Sequence, residues 1–189
     1  MLSEKLKTET LTNHQQLEKM LVTRMKSIRS VQDYIDLLQL FYSYFGALET
    51  RINTFISAEQ LPDYTHRRKS AALSKDISDL GGTPVETVSG DSLPEIENAL
   101  QAFGALYVIE GSTLGGKIIA KMMAQQLGIT NGTGLSFFNG YGDDSAQMWD
   151  KFKQKLDLIA QDSNSENIVI EAANQTFTKF KLQAGHSTV

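Results

Sequence analysis

Residues 102–119 read AFGALYVIEGSTLGGKII, an apolar stretch that favours a long buried helix but contains Gly111, Gly115 and Gly116. Each glycine inside a helix costs roughly 1 kcal/mol relative to alanine, so the three together forgo about 3 kcal/mol. That is a large share of a typical folding stability of ~5–15 kcal/mol. On the glycines alone, two interpretations stay open: the backbone touches something flat or bulky, or two helices cross closely here.

Composition limits the kind of protein that this chain can be. Its 189 residues are 41% hydrophobic and 21% charged, which suits one globular domain over residues 1–189 with a frayed tail from about 184. The net charge of -4 and the short basic run at 66–69, interpreted as a solvated helix start, argue against nucleic-acid binding. Lacking a long apolar run and a secretion signal, the chain is expected to be cytoplasmic, away from membranes, and monomeric. With no cysteine, thiolate ligands and cysteine nucleophiles are excluded.

Hydrophobic periodicity predicts an all-α, compact, multi-helix domain. Ser30 and Asp33 form a plausible capping arrangement, while Gly81 and Gly128 suit the left-handed caps that end helices. The connector at 131–142 is glycine-rich but too apolar to be a plain linker. The expected helices cover about 3–25, 30–56, 66–80, 94–127, 144–161 and 165–183.

Only three histidines are present, so each can be considered individually. His66 heads the basic run, and His186 lies in the polar tail. His14 shares a helix face with Leu17, and Glu18 stands one turn further on, where it could accept a hydrogen bond from the imidazole. A histidine on an apolar face is more often a satisfied core residue than a ligand, so both readings stay open.

The two observations together point to a flat ligand. A planar macrocycle needs an axial ligand on one side and close, featureless backbone on the other, with room for a small gas such as O₂. A helix that carries His14 and a helix that carries Gly111 and Gly115 supply these two faces.

Three motifs resemble the bacterial heme oxygenases, particularly the biliverdin-producing type that can accompany bacterial phytochromes. They are Thr10-x-x-x-His14-x-x-x-Glu18, GALYVIEGSTLGG at 104–116 and FFNGYG at 137–142. The second is the specific one, and the three occur in the right order over most of the chain. The resemblance implies a heme oxygenase fold with a glycine-kinked distal helix. It also implies heme as both substrate and cofactor, O₂, electrons from an external reductase or ferredoxin, and biliverdin, Fe²⁺ and CO as products.

The resemblance further implies roles for individual residues. His14 matches the iron ligand and Glu18 the carboxylate that orients it. The catalytic surface of the distal helix would comprise Gly111, Ser112, Gly115 and Gly116. The remaining heme contacts would be the propionate partners Lys7, Tyr107 and Lys153 and the apolar walls Phe137, Phe138 and Phe177. Solvated lysines and plain core phenylalanines are the alternatives for these.

The chain departs from the animal heme oxygenases at two positions. They carry an aspartate where this chain has Ser112, so the proton relay must be built from backbone groups, Ser112 or water. They carry a basic residue where this chain has Asp157, so one propionate partner is lost. Two other functions stay open: a heme-binding or heme-handling protein without turnover, and a thiamin-degrading or quinone-cofactor enzyme of similar architecture. The thiamin enzymes rely on a cysteine that is absent here.

Overall fold

A computed structural model describes residues 1–186, and every regular element within them is helical. This confirms the all-α fold class. Short 3₁₀ turns lie at Tyr64–His66, Gly90–Ser92 and Gly142–Asp144. The α-helices are α1 (Leu2–Glu9), α2 (Leu11–Ser27), α3 (Val31–Ile52), α4 (Ala71–Asp79), α5 (Ala99–Gly111), α6 (Thr113–Leu127), α7 (Ser136–Asn139), α8 (Ser145–Ile159) and α9 (Ser163–His186).

The N-terminal helix is broken at Thr10, whereas the pattern predicted one helix over about 3–25. The buried Thr10 hydroxyl donates to the Leu6 carbonyl at 2.7 Å. Threonine side chains that bond the preceding turn in this way bend helices. As a result α1 and α2 meet at a bend, and His14 lies one turn beyond it.

Helix α3 begins as the sequence predicted and supplies the centre of the core. Ser30 and Asp33 form a reciprocal capping box. Its predicted core face is entirely buried: Tyr34, Leu37, Leu38, Phe41, Phe45, Leu48 and Ile52. The Phe41 ring lies 5.1 Å from that of Phe180 in α9 and 5.3 Å from that of Phe138 in α7.

The predicted helix over 94–127 is wrong in two respects. It begins only at Ala99, because the side chain of Asn98 caps it by accepting from the Gln101 amide at 3.0 Å. It is also interrupted at Ser112, which separates α5 from α6. Its C-terminal cap is confirmed, since Gly128 has a φ of 66°.

The ends of two other predicted helices differ as well. The helix expected at 66–80 begins at Ala71, because residues before it form a turn and an extended segment. The tail expected to fray from about 184 is helical as far as His186, and residues 187–189 lie outside the described part of the chain.

Glycine lets α5 and α9 approach closely. A Cβ added at Gly104 would lie 2.4 Å from the Val169 carbonyl oxygen and 2.7 Å from the Ala172 Cβ. Any side chain here would therefore push the two helices apart. This contact places α9 directly behind the apolar half of α5.

A second close approach involves one of the three glycines that the sequence singled out. A Cβ added at Gly116 would lie 2.1 Å from the Phe138 carbonyl oxygen, so α6 rests on the backbone of α7. A Cβ added at neighbouring Gly115 would meet nothing within 4 Å. Helix packing thus explains Gly116, and open space surrounds Gly115.

The pair allows a matched test of stability in the ligand-free protein. Gly116→Ala should lower the free energy of unfolding by about 1–3 kcal/mol, because the methyl group overlaps a backbone oxygen that cannot rotate away. Gly115→Ala should raise it by up to about 1 kcal/mol, because alanine is the better helix former and meets no neighbour. Thermal melts of both variants check this, and equal shifts would contradict the assignment.

Candidate functional site

Helix α2 presents His14 at the surface next to α9. The His14 side chain is exposed, and its ring centroid lies 5.6 Å from the Phe177 ring. Polar bonds hold α2 on α9: the Asn13 amide donates to Asn174 at 2.7 Å, and Lys181 Nζ donates to Asn13 at 2.7 Å. His14 is therefore a surface residue on a braced helix, and the expectation that it shares the burial of Leu17 is wrong.

Helix α2 and the α5–α6 segment run in the same direction and meet at both ends. At one end Tyr107 lies next to the side chain of Thr10, and burial raises the pKa of Tyr107 above its usual value. At the other end the Gln126 amide donates to the carbonyls of Met25 at 3.4 Å and Ile28 at 3.3 Å. These two contacts mark the ends of a cleft.

The two walls of this cleft are similar in length. From Thr10 to Ile28 is 18 residues and from Tyr107 to Gln126 is 19, so the two end contacts lie at matching positions along both walls.

The position of His14 along α2 matches the position of Gly111 along α5. His14 lies four residues beyond Thr10, and Gly111 lies four residues beyond Tyr107. Since residues four apart share a helix face, His14 and Gly111 stand at the same level of the cleft. A Cβ at Gly111 would meet only the Trp149 ring, at 3.5 Å. This level of the cleft therefore has an imidazole on one side and uncovered backbone on the other.

The hydroxyl of Ser112 is engaged on the other side of the helix. It donates to the Ile109 carbonyl at 2.6 Å and accepts from Arg68 Nη2 at 2.6 Å. The proton and one of the two lone pairs of this hydroxyl thus have partners in the protein.

A buried ion pair lies directly behind the glycines, and sequence reasoning missed it. Arg67 Nη1 donates to Glu110 at 2.7 Å, with side-chain exposures of 0% and 1%. Arg67 also pairs with Asp63 at 2.9 Å. The basic run at 66–69 is therefore not a solvated helix start, although His66 is exposed as predicted.

One signal in the sequence pointed to this ion pair. Glu110 is the only charged residue between Ala102 and Ser112. A carboxylate in such an apolar helix is almost never buried without a partner. The partner lies 43 residues earlier in the chain, at a distance that periodicity cannot reveal.

Cationic side chains gather where α1 and α8 lie side by side. The Asp157 carboxylate accepts from the Ser3 amide at 2.8 Å and its hydroxyl at 2.9 Å, which fixes α1 against α8. Thr10, which follows the end of α1, lies next to Tyr107, and the Tyr107 ring centroid is 5.3 Å from that of Trp149 near the start of α8. The end of α1 therefore lies beside the start of α8. The two helices are thus antiparallel.

This arrangement brings two predicted propionate partners to the same level. Lys7 is one turn after Ser3, and Lys153 is one turn before Asp157. Lys7 is exposed, and Lys153 is 37% exposed beside Asp150 at 2.9 Å. Asp157 itself serves the fold by capping α1.

The phenylalanines and Glu18 have different surroundings from those expected. Phe137 and Phe138 lie in the core, 1% and 2% exposed, among the rings of α3. Phe177 is the one beside His14. Among the described residues the exposed Glu18 makes no hydrogen bond to the His14 ring. Trp149, which contacts Gly111, is a cleft residue that the sequence argument did not identify.

Comparison with known proteins assigns the chain to a family. The heme oxygenase family model matches residues 1–183.

The protein is a member of the heme oxygenase family.

Heme oxygenase from Xanthomonas campestris pv. campestris is 27% identical over 148 residues, covering 78% of this chain and 86% of that protein. Heme oxygenase PigA from Pseudomonas aeruginosa is 28% identical over 180 residues, covering 94% of this chain and 88% of that protein. Both are distant relatives at the level of sequence.

Solved heme oxygenase structures share the fold. The NO- and CO-bound enzyme from Neisseria meningitidis superposes with a TM-score of 0.84 at 23% identity, covering 99% of this chain and 92% of its own. The enzyme from Leptospira interrogans superposes with a TM-score of 0.77 at 18% identity, covering 98% of each chain. No helix among residues 1–186 of this heme oxygenase family member is long and apolar enough to cross a membrane.

The buried ion pair generates a stability prediction. Glu110→Leu should lower the free energy of unfolding by up to about 3–5 kcal/mol, because it removes the fully buried carboxylate and leaves the partly exposed Asp63 as the remaining charge partner of the buried Arg67. Adding Arg67→Met should recover part of this loss, because no fully buried charge then remains. Denaturant unfolding measures both.

An exposed ion pair supplies the control. Asp79→Asn breaks the solvent-screened pair with Lys75 on α4 and should change stability little. If Glu110→Leu were equally mild, the ion pair would not be a structural requirement.

Proposed function

We propose that this protein binds heme in the cleft between α2 and α5–α6 and cleaves it oxidatively. The reaction would consume O₂ and electrons from an external reductase or ferredoxin and release biliverdin, Fe²⁺ and CO. The observation that carries the proposal is the register of His14 with Gly111 across a cleft that is closed at both ends. Family membership supports heme as the substrate.

The chain's own residues would bind and orient the heme. His14 would ligate the iron from α2, and Glu18, one turn on, would fix the imidazole once the ring turns toward the ligand. Lys7 and Lys153 at one end of the cleft would pair with the propionates, with Tyr107 beside them. Bound heme supplies the iron at which O₂ is reduced.

The wall formed by α5 and α6, which we call the distal wall, would act mainly through its backbone. Gly111 and Gly115 let the helix come close to the heme plane, because no Cβ intervenes. This leaves little room above the ring, so that a small gas would be forced to lie along it. Trp149, beside Gly111, and Phe177, beside His14, would line the flanks of the bound heme.

The direct test is supported turnover. Purified protein is mixed with hemin, a ferredoxin-type reductase system and air, and the heme Soret band is followed as biliverdin absorption grows. Intact heme throughout would instead favour a heme-binding protein without turnover. One observation supports this second function: the Ser112 hydroxyl forms its hydrogen bonds with Ile109 and Arg68 rather than pointing into the cleft.

The first functional prediction concerns the iron ligand. His14→Ala should leave the fold intact, change the ferric heme spectrum and abolish turnover, with a loss of heme affinity of about tenfold or more. Added imidazole should restore the spectrum in part. Heme affinity is read from quenching of Trp149, the single tryptophan of the chain.

The matched control for His14 is another exposed histidine. His66→Ala, in the 3₁₀ turn at Tyr64–His66, should alter neither spectrum nor turnover. An unchanged heme spectrum in His14→Ala would overturn the ligand assignment.

The second functional prediction concerns the orientation of heme. Lys7→Ala combined with Lys153→Ala should broaden the mixture of biliverdin isomers, because two heme poses need differ by only ~1.4 kcal/mol for a tenfold preference. Affinity should change much less, since exposed ion pairs contribute little. Chromatography of the products measures the isomer ratio.

Lys151→Ala supplies the control for this variant. Lys151 is exposed on α8, about 200° around the helix from Lys153. It should give the parental isomer ratio. The same ratio in the double variant would show that neither lysine positions the heme.

A further inference from the structure

Arg68 joins three acceptors at the junction of α5 and α6. Its Nη2 donates to the Ile109 carbonyl at 2.9 Å and to Ser112 Oγ at 2.6 Å, while Nη1 donates to the Phe137 carbonyl at 3.2 Å. The guanidinium lies 3.8 Å from the centroid of the Phe137 ring. One side chain thereby links the end of α5, the start of α6 and the short helix α7.

The backbone of Arg68 is fixed as well. Its amide donates to the Tyr141 hydroxyl at 2.8 Å, and that hydroxyl lies 3.0 Å from both carboxylate oxygens of Glu110. Arg67, the preceding residue, pairs with the same carboxylate. Arg68 is therefore anchored from behind while its guanidinium reaches forward to the helix junction.

Stability alone does not explain this arrangement. Burial lowers the pKa of Arg68 to about 10, which means that its charge is desolvated at a cost. Its Nε is buried without a partner among the described residues. A buried donor left unpaired works against stability.

The junction that Arg68 holds determines the shape of the cleft. Helix α5 ends at Gly111, Ser112 follows it, and Gly115 lies in the first turn of α6. The last carbonyls of a helix lack intrahelical partners, and an arginine that binds them fixes where the next segment can go. The angle between α5 and α6 therefore sets how far the glycine backbone stands from His14.

We propose that Arg68 is a positioning residue for the distal wall, which acts by bonding Ile109, Ser112 and Phe137 together. It fixes the α5–α6 junction and with it the separation of Gly111 and Gly115 from His14. The effect on catalysis rests on the proposed heme-degrading function. The effect on the geometry of the cleft does not.

The chemistry of the side chain makes Arg68→Lys the decisive variant. A guanidinium presents several donors in a rigid plane and stacks on an aromatic face, whereas an ammonium is a single point charge. Lysine therefore keeps the charge but cannot hold all three acceptors at once. Ser112→Ala removes one acceptor and serves as a milder second variant that is expected to fold.

Three measurements test the proposal on folded protein. The emission of Trp149 without ligand should shift, because its ring lies next to Gly111, 3.5 Å from where a Cβ at that position would stand. The pH midpoint of the ferric heme spectrum should move by about half a unit or more. The kcat of heme turnover should fall by about 10–100-fold with a smaller change in KM, as expected when the reacting groups are misplaced by ~1 Å.

Arg29→Lys is the matched control. Arg29 also donates to helix-end carbonyls, those of Lys26 at 2.7 Å and Ile28 at 2.8 Å, but it is exposed and lies at the far end of α2. It should reproduce the parental protein in all three measurements. A merely structural Arg68 would lower the melting temperature and leave emission, midpoint and kcat of the folded protein unchanged.

The outcomes separate this inference from the proposed function. If the parental protein binds heme but never consumes it, the proposed function fails, and the emission and pH midpoint still decide the role of Arg68. If the parental protein turns heme over and both Arg68→Lys and Ser112→Ala match it in all three measurements, the positioning role is overturned.

Discussion

The buried pair of Arg67 and Glu110 is the interaction on which the rest of the site depends. Two fully desolvated charges 2.7 Å apart are tolerated only when further hydrogen bonds complete their coordination. The structure meets this requirement with Asp63, the Met148 carbonyl and the Tyr141 hydroxyl. Each of these partners comes from a different part of the chain, so the pair draws the 61–70 segment, α8 and the α7–α8 connection around the end of α5. The level at which α5 ends is set by this electrostatic demand.

The glycines resolve the conflict that the sequence posed, because they serve both of its interpretations at different positions. Gly104 and Gly116 let helices pack closely, since a Cβ at these positions would lie only 2.4 Å and 2.1 Å from carbonyl oxygens of the neighbouring helix. Gly115 faces open space, and Gly111 meets only an indole edge. Close packing behind the wall holds it rigid, while the missing side chains in front keep it bare. With alanine at all four positions, overlap would disrupt the close packing at Gly104 and Gly116, and the added methyl groups would cover the bare backbone at Gly111 and Gly115.

Features that depend on near neighbours in the chain were predictable. The capping box of Ser30 and Asp33, the buried face of α3 and the Gly128 cap all follow from residues within a few positions of each other. The breaks at Thr10 and Ser112 were not, since both occur inside patterns that continue smoothly as helix. The basic run at 66–69 was misread because its partner is 43 residues away, and a pattern read along the chain cannot distinguish a solvated arginine from a paired one. For the same reason the pattern could not show that Phe177 alone of the three phenylalanines lies beside His14, whereas Phe137 and Phe138 belong to the core.

Each residue of the candidate site stands on a helix that is braced from behind. Asn174 and Lys181 hold α2, the Phe138 carbonyl supports α6, and Asp157 fixes α1 beside α8. The cleft therefore keeps its shape without a ligand, with an exposed imidazole opposite bare backbone. A ligand that enters such a site need not order a loop or close a gap, costs that otherwise reduce affinity. The exposure of His14 follows from this arrangement, because the Phe177 ring lies on one side of the imidazole and Gly111 and Gly115 of the opposite wall carry no side chain that could cover it.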